Sequence, residues 1–254
     1  KCHHFTALRR TQNPQILVFN HALFFSNLAL RRQGISILPD YAAVIFDEAH
    51  TIEAVAGDHL GIGITSGQID WTLTRLYNDR TNKGLLVHHG LTDLQQQVNR
   101  CRDRTDEFLG SLGEWLDRRN QRPVGGSFTA RVREPEIVEN ELSSELKRLA
   151  NGVKDAGESL KDNSAKLDFT SAADRLLGIA GEIETWRRQQ LDDAVYWVES
   201  SQTRRGYPRM KLAAAPIDVG PALRETLYNE VDTVVMTSAT LSIGSSGSFD
   251  FFQS

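Results

Sequence analysis

Cysteine is scarce. Two occur in the 254 residues, Cys2 and Cys101, too few for a disulfide framework, and a reducing, cytoplasmic setting is the expectation. Long apolar runs are missing as well. None approaches the roughly 20 residues of a membrane-spanning helix, no signal-peptide pattern opens the chain, and no membrane partner is expected. An excess of positive charge is also lacking: the formal net charge is −4, so any polyanion site has to be a local patch. The glycine-lysine phosphate cradle G-x-x-x-x-G-K-[ST] occurs nowhere. No repeat unit marks a solenoid.

What is present is an ordinary globular composition, 40% hydrophobic and 24% charged, with enough chain for one large domain or two smaller ones. The chain opens at Lys1 and closes on the apolar "FDFFQS". The expectation is a piece of a longer protein.

Residues 1–60 read as α/β. "ILVFN" (Ile16 to Asn20) is a continuous apolar run that suits a strand buried on both faces of a parallel sheet. "HALFFSNLALRR" follows with helical period and ends in two arginines, which suit a helix C-terminus. Gly34 and the "LPD" turn break the pattern. "AAVIF" reads as a second buried strand, and "TIEAVAGDHL" as a helix. Strand, helix, strand, helix is the rhythm of a parallel sheet.

Residues 61–205 change character. Leu91, Leu94, Val98, Cys101, Thr105, Phe108, Leu112 and Trp115 follow a 3,4 alternation. Leu142, Leu146, Leu149, Val153, Ala156 and Leu160 repeat it, and Leu176, Ala180, Ile183 and Trp186 start a third helix. Such spacing predicts long helices packed along one apolar stripe, hence an all-α bundle. "RPVGGSFTARVREPE" interrupts it as a loop or a short hairpin. From 206 to 254 the α/β signature returns. "KLAAAPIDVG" reads as strand and turn, "PALRETLYN" as a helix with Pro221 in its first turn, and "DTVVMTSATLS" as a buried strand ending in hydroxylated residues.

Asp47 and Glu48 stand where the apolar "AAVIF" run stops. Ligands of open parallel sheets bind outside the carboxyl ends of the strands. One carboxylate there can hold a phosphate-bound Mg²⁺, directly or through water, and its neighbour can orient or deprotonate an attacking water. The plainer alternative is that Asp47, Glu48 and His50 cap the following helix. The hydroxyls of "TSAT" close a second strand end and can sense the same phosphate or couple to the carboxylates.

"DEAH" after one apolar strand and "SAT" after a later one are signatures of superfamily 2 helicases. "ILVFNHALFFSNLALRR", "ILPDYAAVIFDEAHTIE", "AAAPIDVG" and "VVMTSATLS" together resemble the DinG/XPD family of iron–sulfur DNA helicases, on its bacterial DinG-like branch. The likeness lies in roughly residues 1–60 and 205–254. It implies a RecA-like motor domain split by a helical Arch-like insertion: motor sequence at 1–60 and 206–254, insertion at 61–205. By resemblance, Asp47 is the Mg²⁺-coordinating acid and Glu48 the catalytic base. His50 couples the nucleotide site to a second motor domain. Ser238, Ala239 and Thr240 link hydrolysis to DNA movement. Asn20 and His21 match a segment near the DNA-facing side. Cys2 takes the place of the fourth cysteine of a [4Fe–4S] cluster, which needs four thiolates. The resemblance implies ATP, Mg²⁺ and the cluster as cofactors, and single-stranded or forked DNA as partner. It further implies a monomer moving 5′ to 3′ in DNA repair or replication. With no phosphate cradle and no second motor domain, the stretch alone is expected to be inactive.

Other candidates have plainer readings. Cys2 with His3 and His4 offers a zinc half-site, but adjacent ligands rarely reach one metal together. Cys101 sits at a heptad core position as a small buried hydrophobe. His88 and His89 read as a solvated loop. Arg9, Arg10, Arg31 and Arg32 are phosphate contacts or solvated surface. Trp71, Trp115, Trp186 and Trp197 are stacking platforms for single-strand bases or core. Two rival functions stay open: a non-catalytic nucleic-acid-binding or protein-docking module, and an unrelated α/β hydrolytic enzyme using the two carboxylates.

Overall fold

The computed structural model describes residues 15–31, 36–119, 127–202 and 208–241. The chain divides into two compact units. One takes the sequence up to Gly61 and from Ala215 onward, and the other is Ile62–Ala214, inserted between those segments in chain order.

The first unit is built on two parallel strands, β1 (Ala43–Phe46) and β6 (Thr233–Met236). Their register pairs Ala43 with Thr233 and Phe46 with Met236, so both strands end at the same level. Helix α1 (His21–Arg31) and helix α2 (Ile52–Leu60) flank them. A 3₁₀ turn at Ala49–Thr51 leads into α2. The chain returns through a short helix, α8 (Gly220–Leu223), with Pro221 in its first turn, and a π turn at Arg224–Tyr228. The core joins Phe24, Phe25 and Leu28 of α1 to Phe46, Ala49, Ile52, Leu223 and Leu227. Phe24 meets Phe46 edge-on, with ring centroids 5.0 Å apart. Phe46 is thus anchored at the last rung of β1, and the next residue out is Asp47. Aromatic pairs of this kind contribute about 0.5–1.5 kcal/mol beyond their buried area.

Two expectations need correction here. Parallel pairing is observed, but neither strand is buried on both faces. Ile45 is 71% exposed and its register partner Val235 is 41% exposed. Helices cover one face of the two-stranded ladder, and alternation turns Ile45 and Val235 to the other. "ILVFN" forms no strand: it finds no ladder partner among the described residues, and Val18 is 93% exposed.

The inserted unit is helical, but it is not all-α. Helix α5 (Thr92–Arg118) buries Val98, Cys101, Phe108, Leu112 and Leu116. Helix α6 (Leu142–Glu158) buries Leu142, Leu146, Leu149 and Val153. Helix α7 (Asn163–Arg187) buries Phe169, Leu176, Ile183 and Trp186. These are the stripes that the heptad spacing predicts. Shorter helices α3 (Ser66–Leu76) and α4 (Leu85–His88) complete the set. The Thr65 hydroxyl caps α3 by accepting the Gln68 N–H at 3.0 Å.

Against these helices lies a four-stranded sheet in the order β2 (Ile62–Thr65), β5 (Pro208–Pro216), β4 (Ala194–Gln202), β3 (Phe128–Val132). β2 runs antiparallel to β5, and β3 antiparallel to β4. One sequence expectation falls: "SFTARV" pairs with a strand far downstream and is not half of a local hairpin. "KLAAAP" is a strand as expected, paired antiparallel with β2. The Trp186 indole N–H closes the layers by donating to the Ala213 carbonyl at 3.0 Å.

Candidate active site

β1 and β6 are parallel and in register, so the residues that follow them emerge side by side. The Thr237 N–H donates to the Phe46 carbonyl at 2.8 Å, and the Ala49 N–H to the Thr237 carbonyl at 3.0 Å. These two bonds carry the ladder past the formal strand ends and hold "DEAH" against "TSAT".

The side chains then connect. The Thr237 hydroxyl donates to Asp47 Oδ1 at 3.0 Å, and the Glu48 N–H reaches the same oxygen at 3.0 Å. His50 Nδ1 lies 2.8 Å from Ser238 Oγ and 3.3 Å from Glu48 Oε2. The Ser238 hydroxyl is 3.5 Å from that Glu48 oxygen, at the long limit for a hydrogen bond. It also accepts the Thr240 N–H at 3.3 Å. Asp47, Glu48 and His50 are exposed, as are Ala239 and Thr240. The structure therefore brings Asp47, Glu48, His50, Ser238 and Thr240 into one constellation and sets Ala239 in the turn beside it.

The capping alternative for the acidic pair finds no support in this geometry. Glu48 occupies the N-cap position of the 3₁₀ turn without a side-chain cap, and Thr51 caps α2 without one either. Glu48 has φ 51° and ψ 46°, a left-handed conformation that costs a non-glycine residue about 1–2 kcal/mol. Strain of this order persists where surrounding bonds over-determine it. Here the Glu48 carbonyl accepts both the Thr51 N–H and the Thr51 hydroxyl, each at 3.0 Å. The kink turns the chain sharply between Asp47 and the turn that carries His50.

Asn20 and His21 lie behind this turn. Asn20 Oδ1 accepts the Leu23 N–H at 2.9 Å, which makes Asn20 a helix cap for α1. His21 Nδ1 sits 3.1 Å from the Thr51 hydroxyl, and its ring meets Phe46 edge-on. His21 therefore supports the acidic turn in this arrangement, while Asn20 fixes the start of α1. Arg31 is held by Asp40 at 3.1 Å and stacks on Tyr41. Arg9, Arg10, Arg32 and Cys2 lie outside the described residues.

Thr237 is one of the "TSAT" hydroxyls that the sequence marks as able to couple to the carboxylates, whereas Thr51 is a connecting group that the sequence does not mark. Each directly adjoins a motif, but only the register of β1 on β6 and the Glu48 turn reveal what they touch.

The residues fit a magnesium ion of the nucleotide-bound kind. Such an ion takes one or two carboxylates and fills its remaining positions with water and phosphate oxygens. Asp47 and Glu48 supply hard oxygens, and among the described residues no hydrogen bond engages Asp47 Oδ2. No group of three or more potential ligands forms among the described residues, so no all-protein metal cage exists there. A four-thiolate cluster does not fit this chain. Cys101 is fully buried in the helical unit, where loss of solvation pushes its thiol up to about 12, and only Cys2 remains.

No family model matches the chain. Curated relatives do. The ATP-dependent DNA helicase YoaA of Haemophilus influenzae is 26% identical over 259 residues, taking in 99% of this chain and 36% of that protein. Its namesake in Escherichia coli is 27% identical over 250 residues, with 93% of this chain and 34% of that protein. The probable ATP-dependent helicase YpvA of Bacillus subtilis is 22% identical over 250 residues, with 94% and 34% covered. The chain spans about a third of the length of these relatives.

Proposed function

With the chain standing as a relative of the DinG/XPD-like DNA helicases, we propose that it is a central portion of an ATP-dependent DNA helicase. The unit carrying β1 and β6 is then part of a RecA-like motor domain, and Ile62–Ala214 is its Arch-like insertion. The observation that carries this reading is the bonding of one strand end to the other. Asp47 is tied to Thr237, and His50 to Ser238.

In the mechanism, Asp47 is the residue that holds the ATP-bound Mg²⁺, which when present neutralises phosphate charge. Glu48 orients the attacking water and accepts its proton. Its Oε2 is already directed by His50, so a change in the carboxylate is felt at the imidazole and at Ser238. That chain of bonded groups is a route by which hydrolysis at the acidic strand end reaches the Ser238–Thr240 turn and moves DNA. We further propose 5′ to 3′ movement on single-stranded DNA, in repair or replication. The 254 residues alone are inactive in this reading, since they carry no glycine-lysine phosphate cradle. A [4Fe–4S] cluster requires three thiolates from outside this chain, with Cys2 as the fourth.

The test is Glu48→Gln in a longer protein that contains this segment. Loss of a general base lowers kcat by about 10²–10⁴-fold. The expected result is that loss in DNA-stimulated ATP hydrolysis with oligonucleotide binding retained. Normal hydrolysis by the variant overturns the assignment of Glu48. A parent protein that binds single strands and hydrolyses no ATP supports the alternative, a binding module that keeps the fold.

A further inference from the structure

The Ile62–Ala214 unit contains a cavity of about 710 Å³ with no part in the chemistry above. It lies among α3, the Asn78–Lys83 turn, α4 and one face of α7. Arg75, Lys83 and Arg175 line it, with His88 and a single carboxylate, Asp168. Trp71, one helical turn before Arg75 and 49% exposed, is not part of the lining but meets two of its arginines. The guanidinium of Arg75 lies 5.4 Å from the Trp71 ring centroid, and that of Arg175 lies 5.2 Å from it.

Several arginines of this unit are paired, among them Arg104 with Glu141 at 3.2 Å, Arg148 with Glu145 at 2.8 Å and Arg187 with Glu184 at 3.4 Å. Among the described residues, Arg75, Lys83 and Arg175 make no ion pair. Two guanidinium groups converging on one ring repel each other, and the ring's quadrupole offsets only part of that cost. An anion between them removes it. Three unpaired cations against one carboxylate give this cavity a net positive lining in a chain of net charge −4.

The exposed indole narrows the anion's class. A bare phosphate or a phosphorylated peptide uses the cations and leaves the ring idle. A single-stranded nucleic acid uses both, its phosphates on the cations and a base on the aromatic face. The Asp168 carboxylate adds an acceptor for a base N–H. We propose that this cavity is a subsite for single-stranded DNA, with Arg75, Lys83 and Arg175 on phosphates and Trp71 under a base. The choice of DNA over RNA rests on the helicase reading; the subsite itself does not use the Asp47–Ser238 constellation.

The test is anisotropy of a labelled 12-nucleotide oligo(dT) titrated with the 254-residue chain, without ATP, at several salt concentrations. Trp71→Ala weakens binding about tenfold or more, the loss of one stacked base. Trp71→Phe, which keeps a ring, restores most of it. Arg75→Ala with Arg175→Ala flattens the salt dependence by about 0.7 in log–log slope for each phosphate left without its cation. Circular dichroism checks that each variant keeps its helices. No binding by the parent chain, or unchanged binding in both the Trp71→Ala and the double-arginine variants, overturns the proposal. So does equal competition by inorganic polyphosphate or a phosphoserine peptide with no effect of Trp71→Ala, which marks a plain anion site. Because no nucleotide hydrolysis enters this assay, its failure leaves the Glu48 test standing, and the reverse holds too.

Discussion

Asn27 is fully buried in α1, and its side chain organises the segment leading to β1. One oxygen, Oδ1, accepts the Ile37 N–H at 2.7 Å, the Leu38 N–H at 3.0 Å and the Ser36 hydroxyl at 3.3 Å. Asn27→Leu replaces the amide with an apolar group of similar size, so the cost is mainly polar. Leu38 is 5% exposed, so its N–H is left buried without a partner, at about 1–3 kcal/mol. Ile37 is 39% exposed, so its N–H can turn to water, at about 0.5–1.5 kcal/mol. The Asn27 Nδ2 group is buried without a partner among the described residues, so nothing is lost on that side. The expected destabilisation is about 2–4 kcal/mol, read by urea denaturation. Amide exchange at Leu38 accelerates with it. A loss below about 0.5 kcal/mol, with unchanged exchange at Ile37 and Leu38, refutes the claim that Asn27 holds the approach to β1.

Two glycine substitutions probe the helical unit as a pair. A Cβ on Gly157 would lie 2.6 Å from the Phe169 Cβ, whereas one on Gly178 meets nothing within 4 Å. Gly178→Ala therefore gains about 1 kcal/mol of helix propensity. Gly157→Ala loses about 1–3 kcal/mol to overpacking, less that propensity gain. Thermal scans should move in opposite directions, and a rise for both refutes the close approach of α6 to α7. Glu184 tests pH dependence. Burial alone would raise its carboxyl, but hydrogen bonds from Arg187 and Asn140, with the charges of Arg187 and Arg188, outweigh that and hold it below the usual range. A lowered folded value means stabilisation fully present above the unfolded value of about 4.3 and lost as pH falls through the folded one. Glu184→Gln should therefore cost most near neutral pH, with the gap to the parent closing below about pH 4. A gap that stays constant with pH contradicts this.

The helices of the inserted unit are legible in the sequence because a 3.6-residue period is local. Leu142, Leu146, Leu149 and Val153 lie on one stripe whatever they pack against, and all are buried. The strands beside them are harder to read. β4 does carry a period-2 signal, with Tyr196 and Val198 buried in alternation, but its partner β3 lies far back in the chain. Strand pairing is a relation between distant segments, and a short run such as "SFTARV" does not name its partner. The same limit makes "ILVFN" an expected strand: its composition suits a ladder, yet pairing decides whether one forms.

At the site the division is similar. Sequence alone put a pair of carboxylates at one strand end, hydroxyls at another, and a heptad helical region between them. It also marked Trp71 as either core or platform, without choosing. Only the tertiary structure set β1 on β6 in register, which brings Thr237 to Asp47 and Ser238 to His50 across 190 and 188 residues of chain. It also took Trp71 out of the core, leaving the ring half in solvent beside Arg75 and Arg175. The reason is physical. Residue type and period act within a few turns of backbone, whereas the neighbours of a side chain beyond its own element are set by which strands pair and which helices cover them.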